Sequence, residues 1–272
     1  GLSGRAAADL VDRLGRLDLL QLDDTTLRLT PDGRREALRV IRIHRLWERY
    51  LADETGLDPR EWHAHAERRE HGTSDQQADA LAATLGHPRF DPHGDPIPMA
   101  SGELPPHQGV PLTQLGPDDA GEIVHIEDEP DAVFAQIVAA GLAPGVRVRV
   151  LERTTQRIRL EAEAEEVVLA PVVAANVTVL PIEHDADVSS FVRLSAIPSG
   201  QTAEVVAIAA TCRGAQRRRL LDLGVVPGTR ITNELTSPSG DPTAFRIRGA
   251  LIALRREQAN HIYVRRLAEV PA

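Results

Sequence analysis

Apolar residues Ala6, Leu10, Leu14 and Leu17 recur at helical spacing, with Ser3 placed to cap the first turn, so the chain opens on a predicted amphipathic helix. Residues 19–30 hold two short alternating stretches around Asp23, Asp24 and Thr25, the pattern of a small hairpin. Thr30 then reads as an N-cap with Pro31 at the first helical position, and Leu38, Ile41, Ile43, Leu46 and Leu51 carry a long helix. Asp58-Pro59 opens a second helix reaching about His71, and Ser74 opens a third through Leu85. From Phe90 to Val110, proline and glycine crowd together in Asp91-Pro92-His93-Gly94-Asp95-Pro96-Ile97-Pro98 and Pro105-Pro106, which reads as a linker.

Beyond the linker the period changes from helical to alternating, with runs rich in Val, Ile and Arg between Gly-Pro turns. An internal repeat appears here. Glu122-Ile123-Val124 and Leu142-Ala143-Pro144-Gly145-Val146-Arg147 recur as Glu204-Val205-Val206 and Val225-Val226-Pro227-Gly228-Thr229-Arg230. Each copy reads strand, short helix, Gly-x-x-Pro-Gly turn and several more strands, which predicts two small five-stranded barrels in tandem, separated near residues 183–190.

Composition narrows the class. With 272 residues and 42% hydrophobic content the chain can fill packed cores, and wholesale disorder is excluded. No run of eighteen apolar residues and no leader-like segment is present, so the expectation is a soluble chain or fragment. The single Cys212 excludes an internal disulfide framework and a Cys-rich zinc site, and suits a reducing cytoplasm. The net charge of −9 is unevenly spread: residues 1–72 are nearly neutral, residues 73–188 strongly acidic, and residues 189–272 basic. The first two segments therefore lack the basic composition that non-specific nucleic-acid binding requires.

Candidate chemistry concentrates in the second helix. On a helix, His63, Glu67, Glu70 and His71 fall at i, i+4, i+7 and i+8, which puts two imidazoles and two carboxylates on one face. The preceding helix offers His44 and Glu48 at i, i+4. Two antiparallel helices carrying such pairs can hold one or two metals between them, and mixed nitrogen and carboxylate ligands suit iron, manganese, cobalt or zinc. A solvated charged helix has the same spacing, and periodicity alone does not separate the two. His65 points to another face and is expected at the surface. Cys212 has no CxxC partner, His184 lies in the second linker, and Arg217-Arg218-Arg219 reads equally as an anion contact or as the wet side of a helix. No nucleophile elbow, P-loop or dinucleotide fingerprint is present, so no enzyme is expected.

Leu29-Thr30-Pro31-Asp32-Gly33-Arg34, Ile43-His44-Arg45-Leu46-Trp47-Glu48-Arg49-Tyr50-Leu51, Ala66-Glu67-Arg68-Arg69-Glu70-His71 and residues 91–98 together resemble the iron- and manganese-dependent repressor family, the DtxR/MntR group. Both barrels resemble the SH3-like FeoA domain. The resemblance implies an α+β multidomain chain: a partial winged helix-turn-helix over 1–33, a helical metal-binding and dimerisation domain with linker over 34–100, and FeoA-like SH3 domains over 108–182 and 189–268. It places His44, Glu48, His63, Glu67, Glu70 and His71 on the family's ligand positions. Glu67 stands where iron repressors can carry Cys, and a carboxylate there favours Mn(II) or Fe(II) as harder cations.

Ser3, Arg5 and Asp9 would lie on the DNA-reading helix, and operator DNA and a homodimeric partner follow from the same resemblance. Gly1 would fall inside the helix-turn-helix, so residues 1–272 by themselves are not expected to bind duplex DNA specifically. The leading expectation is a metal-dependent transcriptional regulator of metal homeostasis. The alternative is a cytoplasmic metal-sensing module whose FeoA-like barrels act on a metal-uptake transporter.

Overall fold

The structure, a computed structural model, describes residues 4–23, 26–106, 108–163, 165–182 and 191–267. Ser3 and His184 lie outside the described residues. The chain divides into two compact units, residues 1–51 with 61–107, and residues 52–60 with 108–272.

In the first unit, helix α1 (Gly4–Arg16) precedes an antiparallel hairpin of β1 (Leu20–Asp23) and β2 (Thr26–Leu29), paired from Leu20↔Leu29 to Asp23↔Thr26. The hairpin leads into the 24-residue helix α2 (Pro31–Glu54). Thr30 fixes that junction: its hydroxyl donates to the Asp18 carbonyl at 2.6 Å and accepts from the Gly33 amide at 3.0 Å, satisfying one orphan donor of the first turn. Gly33 is required by close approach, since a β-carbon there would stand 1.8 Å from the Leu19 carbonyl oxygen.

Helix α3 (Trp62–Glu70) starts later than its Asp58-Pro59 signal, because Pro59–Glu61 forms a 3-10 turn tied by the Asp58 carboxylate to the Arg60 amide. Helix α4 (Asp75–Thr84) begins at a capping box in which Ser74 and Gln77 satisfy each other's amides. Ile43 and Leu46 of α2 pack on Ala78 and Ala82 of α4 and on Ile97, and the Trp47 indole donates to Thr73 at 2.9 Å.

Residues 90–98 contain no regular element, as expected, yet they are not a loose linker. One carboxylate oxygen of Asp91 accepts from the amides of His93, Gly94 and Asp95, each at 2.9 Å, and Arg45 donates to Asp95 and to the Pro96 carbonyl. Asp91 and His93 are buried as a result. The proline-rich composition conceals a segment held in place by side-chain bonds to α2.

The second unit holds two six-stranded antiparallel sheets built to one plan. The first has β3 (Val110–Pro111), β4 (Ala120–Ile126), β5 (Arg147–Arg153), β6 (Ile158–Ala162), β7 (Glu165–Leu169) and β8 (Val177–Ile182), in the order β3-β8-β4-β5-β6-β7. Helices α5 (Asp131–Ala139) and α6 (Pro171–Ala174) sit in its connections. The second repeats it with β9 (Phe191–Arg193), β10 (Thr202–Ile208), α7 (Gly214–Asp222), β11 (Arg230–Thr236), β12 (Thr243–Ile247), β13 (Ala250–Leu254), α8 (Arg256–Asn260) and β14 (Ile262–Arg266).

The sixth strand in each sheet exceeds the five expected. It is a piece of two or three residues, β3 or β9, added along β8 or β14, too short to leave a periodic signal. Each sheet encloses its own apolar core, around Ile123, Ile137, Leu160 and Val179 in the first and Val205, Leu220, Phe245 and Val264 in the second. The barrels also touch: the Tyr263 hydroxyl donates to Glu163 at 2.5 Å, and Arg193 pairs with Glu165 at 3.0 Å.

Candidate metal centre

Helix periodicity places His44 and Glu48 one turn apart on α2, and α3 brings His63 against them. His44 Nε2 is 3.1 Å from Glu48 Oε1 and 3.3 Å from His63 Nδ1, and His63 Nδ1 is 3.4 Å from the same Glu48 oxygen. Two nitrogens and one oxygen thus form a small triangle. Donors sharing one cation at about 2.1 Å stand about 3.0–3.4 Å apart at octahedral to tetrahedral angles, so the spacing fits a divalent ion of the manganese, iron or zinc class.

The electrostatics agree with the geometry. Glu48 is buried at 2% exposure, which by itself would raise its pKa. Hydrogen bonds from His44, His63 and His93 outweigh that burial and hold the carboxylate well below its usual range. Burial lowers His44, but its bonds to Glu48 and Glu70 prevail and leave its pKa raised. A buried carboxylate faced by imidazoles is the condition in which a charge survives without water.

Glu70, on α3, reaches back to His44 Nδ1 at 2.7 Å and so orients the ring whose other nitrogen faces Glu48. His71 lies beside it, with Nε2 at 3.4 Å from Glu70 Oε1, and is 77% exposed. Glu67 is exposed and makes no ion pair among the described residues. Of the six residues singled out by spacing, His44, Glu48 and His63 meet at one point, Glu70 bonds to that group, and Glu67 and His71 stand along the outer part of α3. His65 is half-buried rather than free at the surface, because Arg69 lies against it.

The spacing argument missed His93. Its Nδ1 lies 3.7 Å from the second Glu48 oxygen, and its ring is 5.7 Å from that of buried Trp62. A histidine on an irregular segment has no period to betray it; the only signal was its place within Asp91-Pro92-His93-Gly94-Asp95. On α1, Arg5 and Asp9 are both exposed, one turn apart. Among the described residues no helix is long and apolar enough to cross a membrane.

Two helices presenting a mixed imidazole and carboxylate donor set, ahead of two small β domains, define a candidate metal-binding protein. Residues 30–99 match the metal binding and dimerisation domain of the iron dependent repressors, and residues 110–181 and 192–266 each match the FeoA domain. The chain is 35% identical over 162 residues to the iron-dependent repressor IdeR of Mycobacterium tuberculosis, covering 54% of this chain and 70% of that protein. A solved manganese-dependent transcriptional repressor in complex with manganese superposes with a TM-score of 0.61 at 32% identity, over 67% of this chain and 86% of that one. A shorter match, 39% identical over 70 residues, joins 26% of this chain to 16% of a probable metal transport system membrane protein of Chlamydia trachomatis. The chain belongs to the iron-dependent repressor family.

Proposed function

We propose that this protein is a divalent-metal-dependent transcriptional regulator responding to Mn(II) or Fe(II), with His44, Glu48, His63, Glu67, Glu70 and His71 as its ligands. The observation that carries the reading is the convergence of His44, Glu48 and His63 on one point between α2 and α3. A bound cation supplies the positive charge that lets these donors approach without protons. Glu48 contributes the compensating negative charge, Glu70 fixes the ring of His44, and His63 ties α3 to α2. Glu67 and His71, four residues apart on the exposed side beyond that triangle, complete the set of six with Glu70 between them and the triangle.

Metal regulates only if its binding energy differs between two arrangements of these helices, and a dimer biased toward an operator-binding arrangement provides them. In this reading residues 1–33 form part of a winged helix-turn-helix with Arg5 and Asp9 on its reading helix. Residues 34–100 bind metal and dimerise, and residues 108–182 and 189–268 are the FeoA domains. The match to the Chlamydia transport protein supports a second reading, a metal-sensing module that acts on a transporter through the FeoA domains.

A mobility-shift assay on the promoter of a metal-uptake operon, at fixed salt with and without Mn(II), tests the first. Metal-dependent, sequence-selective retardation supports the regulator. Metal binding in calorimetry without retardation is the outcome expected of residues 1–272 alone under either reading; binding of the FeoA domains to the cytoplasmic face of a metal transporter then supports the sensing module, and absence of metal binding removes both. Ultracentrifugation at micromolar concentration is expected to show a dimer, and a monomer with and without metal would count against the assembly.

A further inference from the structure

We propose that the second barrel carries a phosphate-binding site of its own, formed by Arg230 and Arg248 at the Gly224–Gly228 turn. The two guanidinium-bearing residues line one open cavity of about 450 Å³ together with Val226, Pro227, Gly228 and Thr229, and no acidic residue lines it.

The duplicated barrel supplies the comparison that shows the charge is unspent. In the first barrel Glu122 lies across the ladder from Arg147 on one side and Leu180 on the other, and its carboxylate turns to Arg147 at 3.7 Å. In the second barrel the equivalent Glu204 lies between Arg230 and Arg265. Its carboxylate pairs with Arg265 at 2.9 Å instead. Arginine in the place of Leu180 thus draws the acid away, and Arg230 has no ion-pair partner among the described residues.

The second difference lies in the next hairpin. Glu163 and Arg248 each follow the last residue of the strand before the turn, at φ 51° and 46°. The carboxylate of Glu163 is taken by Tyr263, whereas Arg248 has no ion-pair partner among the described residues. Arg248 is also held in place: its stem lies across Gly224, where a β-carbon would stand 2.7 Å from Cδ and 2.9 Å from Nε. Gly224 itself sits at φ +84°, which independently favours glycine.

The backbone amides of Gly228 and Thr229 are committed to the Val205 and Val226 carbonyls, so recognition falls to the two guanidinium forks. Two arginines lining one cavity match the charge and oxygen array of a phosphate group better than the single charge of one carboxylate. The group can come from a free phosphate or from a nucleic-acid backbone.

Both sources are tested on the full chain in EDTA, which keeps the result independent of the metal centre. Inorganic phosphate is titrated while the arginine Nε–Hε resonances are followed, and a fluorescent random-sequence duplex is titrated in a parallel arm. Phosphate is expected to shift the Arg230 and Arg248 signals. Arg248→Gln and Arg230→Gln should each weaken binding about tenfold, with thermal unfolding unchanged, and Arg147→Gln in the first barrel should leave it unaltered. Duplex binding lost in the same two variants assigns the phosphate to nucleic acid and supports the site, as does phosphate binding without duplex binding. Phosphate or duplex binding of unchanged affinity in the double variant, no response to either probe, or competition by poly-glutamate alone would overturn it.

Discussion

The helical unit and the barrels use burial differently. Around α2 and α3 the structure buries Thr30, Glu48, Thr73, Asp91 and His93, while the associated apolar cluster is small. Each barrel is the reverse, a large apolar cluster with, among the described residues, one buried polar residue, His125 in the first and Asn233 in the second. Buried apolar surface stabilises a fold without help, whereas a buried carboxylate needs partners and rewards a ligand. The helical unit is therefore the part whose stability should respond to metal, and the barrels the part that should not.

Removing apolar volume from a barrel is expected to have the largest effect. Phe245 is 1% exposed at the centre of the second barrel, and Phe245→Ala should cost about 3–5 kcal/mol in denaturant unfolding. Mn(II) affinity in calorimetry should be unchanged; a large loss of affinity would dissolve the contrast between the two regions.

On the helical side, Glu48→Ala removes the charge on which His44 and His63 converge and should weaken Mn(II) binding about a hundredfold. His63→Ala should weaken it strongly as well, and His65→Ala little. Equal losses in all three would sink the site assignment. Glu67→Ala sharpens the picture: a strong loss places it in the ligand set despite its exposure, and no loss confines binding to the triangle.

Metal at about a hundred times its Kd should stabilise the unit that binds it by about 2.7 kcal/mol. Scanning calorimetry should show a helical transition that rises with Mn(II) and falls with chelator, beside barrel transitions that stay in place. Thr30→Ala, which deletes the cap of α2, is expected to cost about 1 kcal/mol in the helical transition alone.

The smallest effect concerns Cys212. Burial pushes its thiol up to about 11, with Arg217 opposing weakly, so at pH 8 it stays protonated and enclosed in the second core. Iodoacetamide should leave the native chain unmodified by mass spectrometry and react only after unfolding. Rapid native labelling would show that the barrel core opens more readily than its packing implies.

Much of this was legible before any coordinates. The helical period put His44 with Glu48 and aligned His63, Glu67, Glu70 and His71, because residues on one helix share a face by local geometry. The repeat of the Gly-x-x-Pro-Gly turn exposed the duplicated barrel, and Thr30-Pro31 and Ser74 marked helix starts through capping chemistry that acts over three residues. Other features depended on contacts between distant segments. His93 reaches Glu48 from an irregular segment 45 residues further on, held there by the carboxylate of Asp91.

That His44, Glu48 and His63 converge, with Glu70 bonded to His44, while Glu67 and His71 stay at the surface arises from how α3 packs on α2, which no spacing within either helix encodes. The same holds for Arg230, whose neighbour Glu204 is claimed by Arg265 only because β14 lies on the other side of β10. Chain-local periodicity and capping were determined by the sequence itself. Which side chains finally share a proton, a charge or a cavity was decided by tertiary packing, since those energies fall off within a few ångströms and only the fold sets the distances.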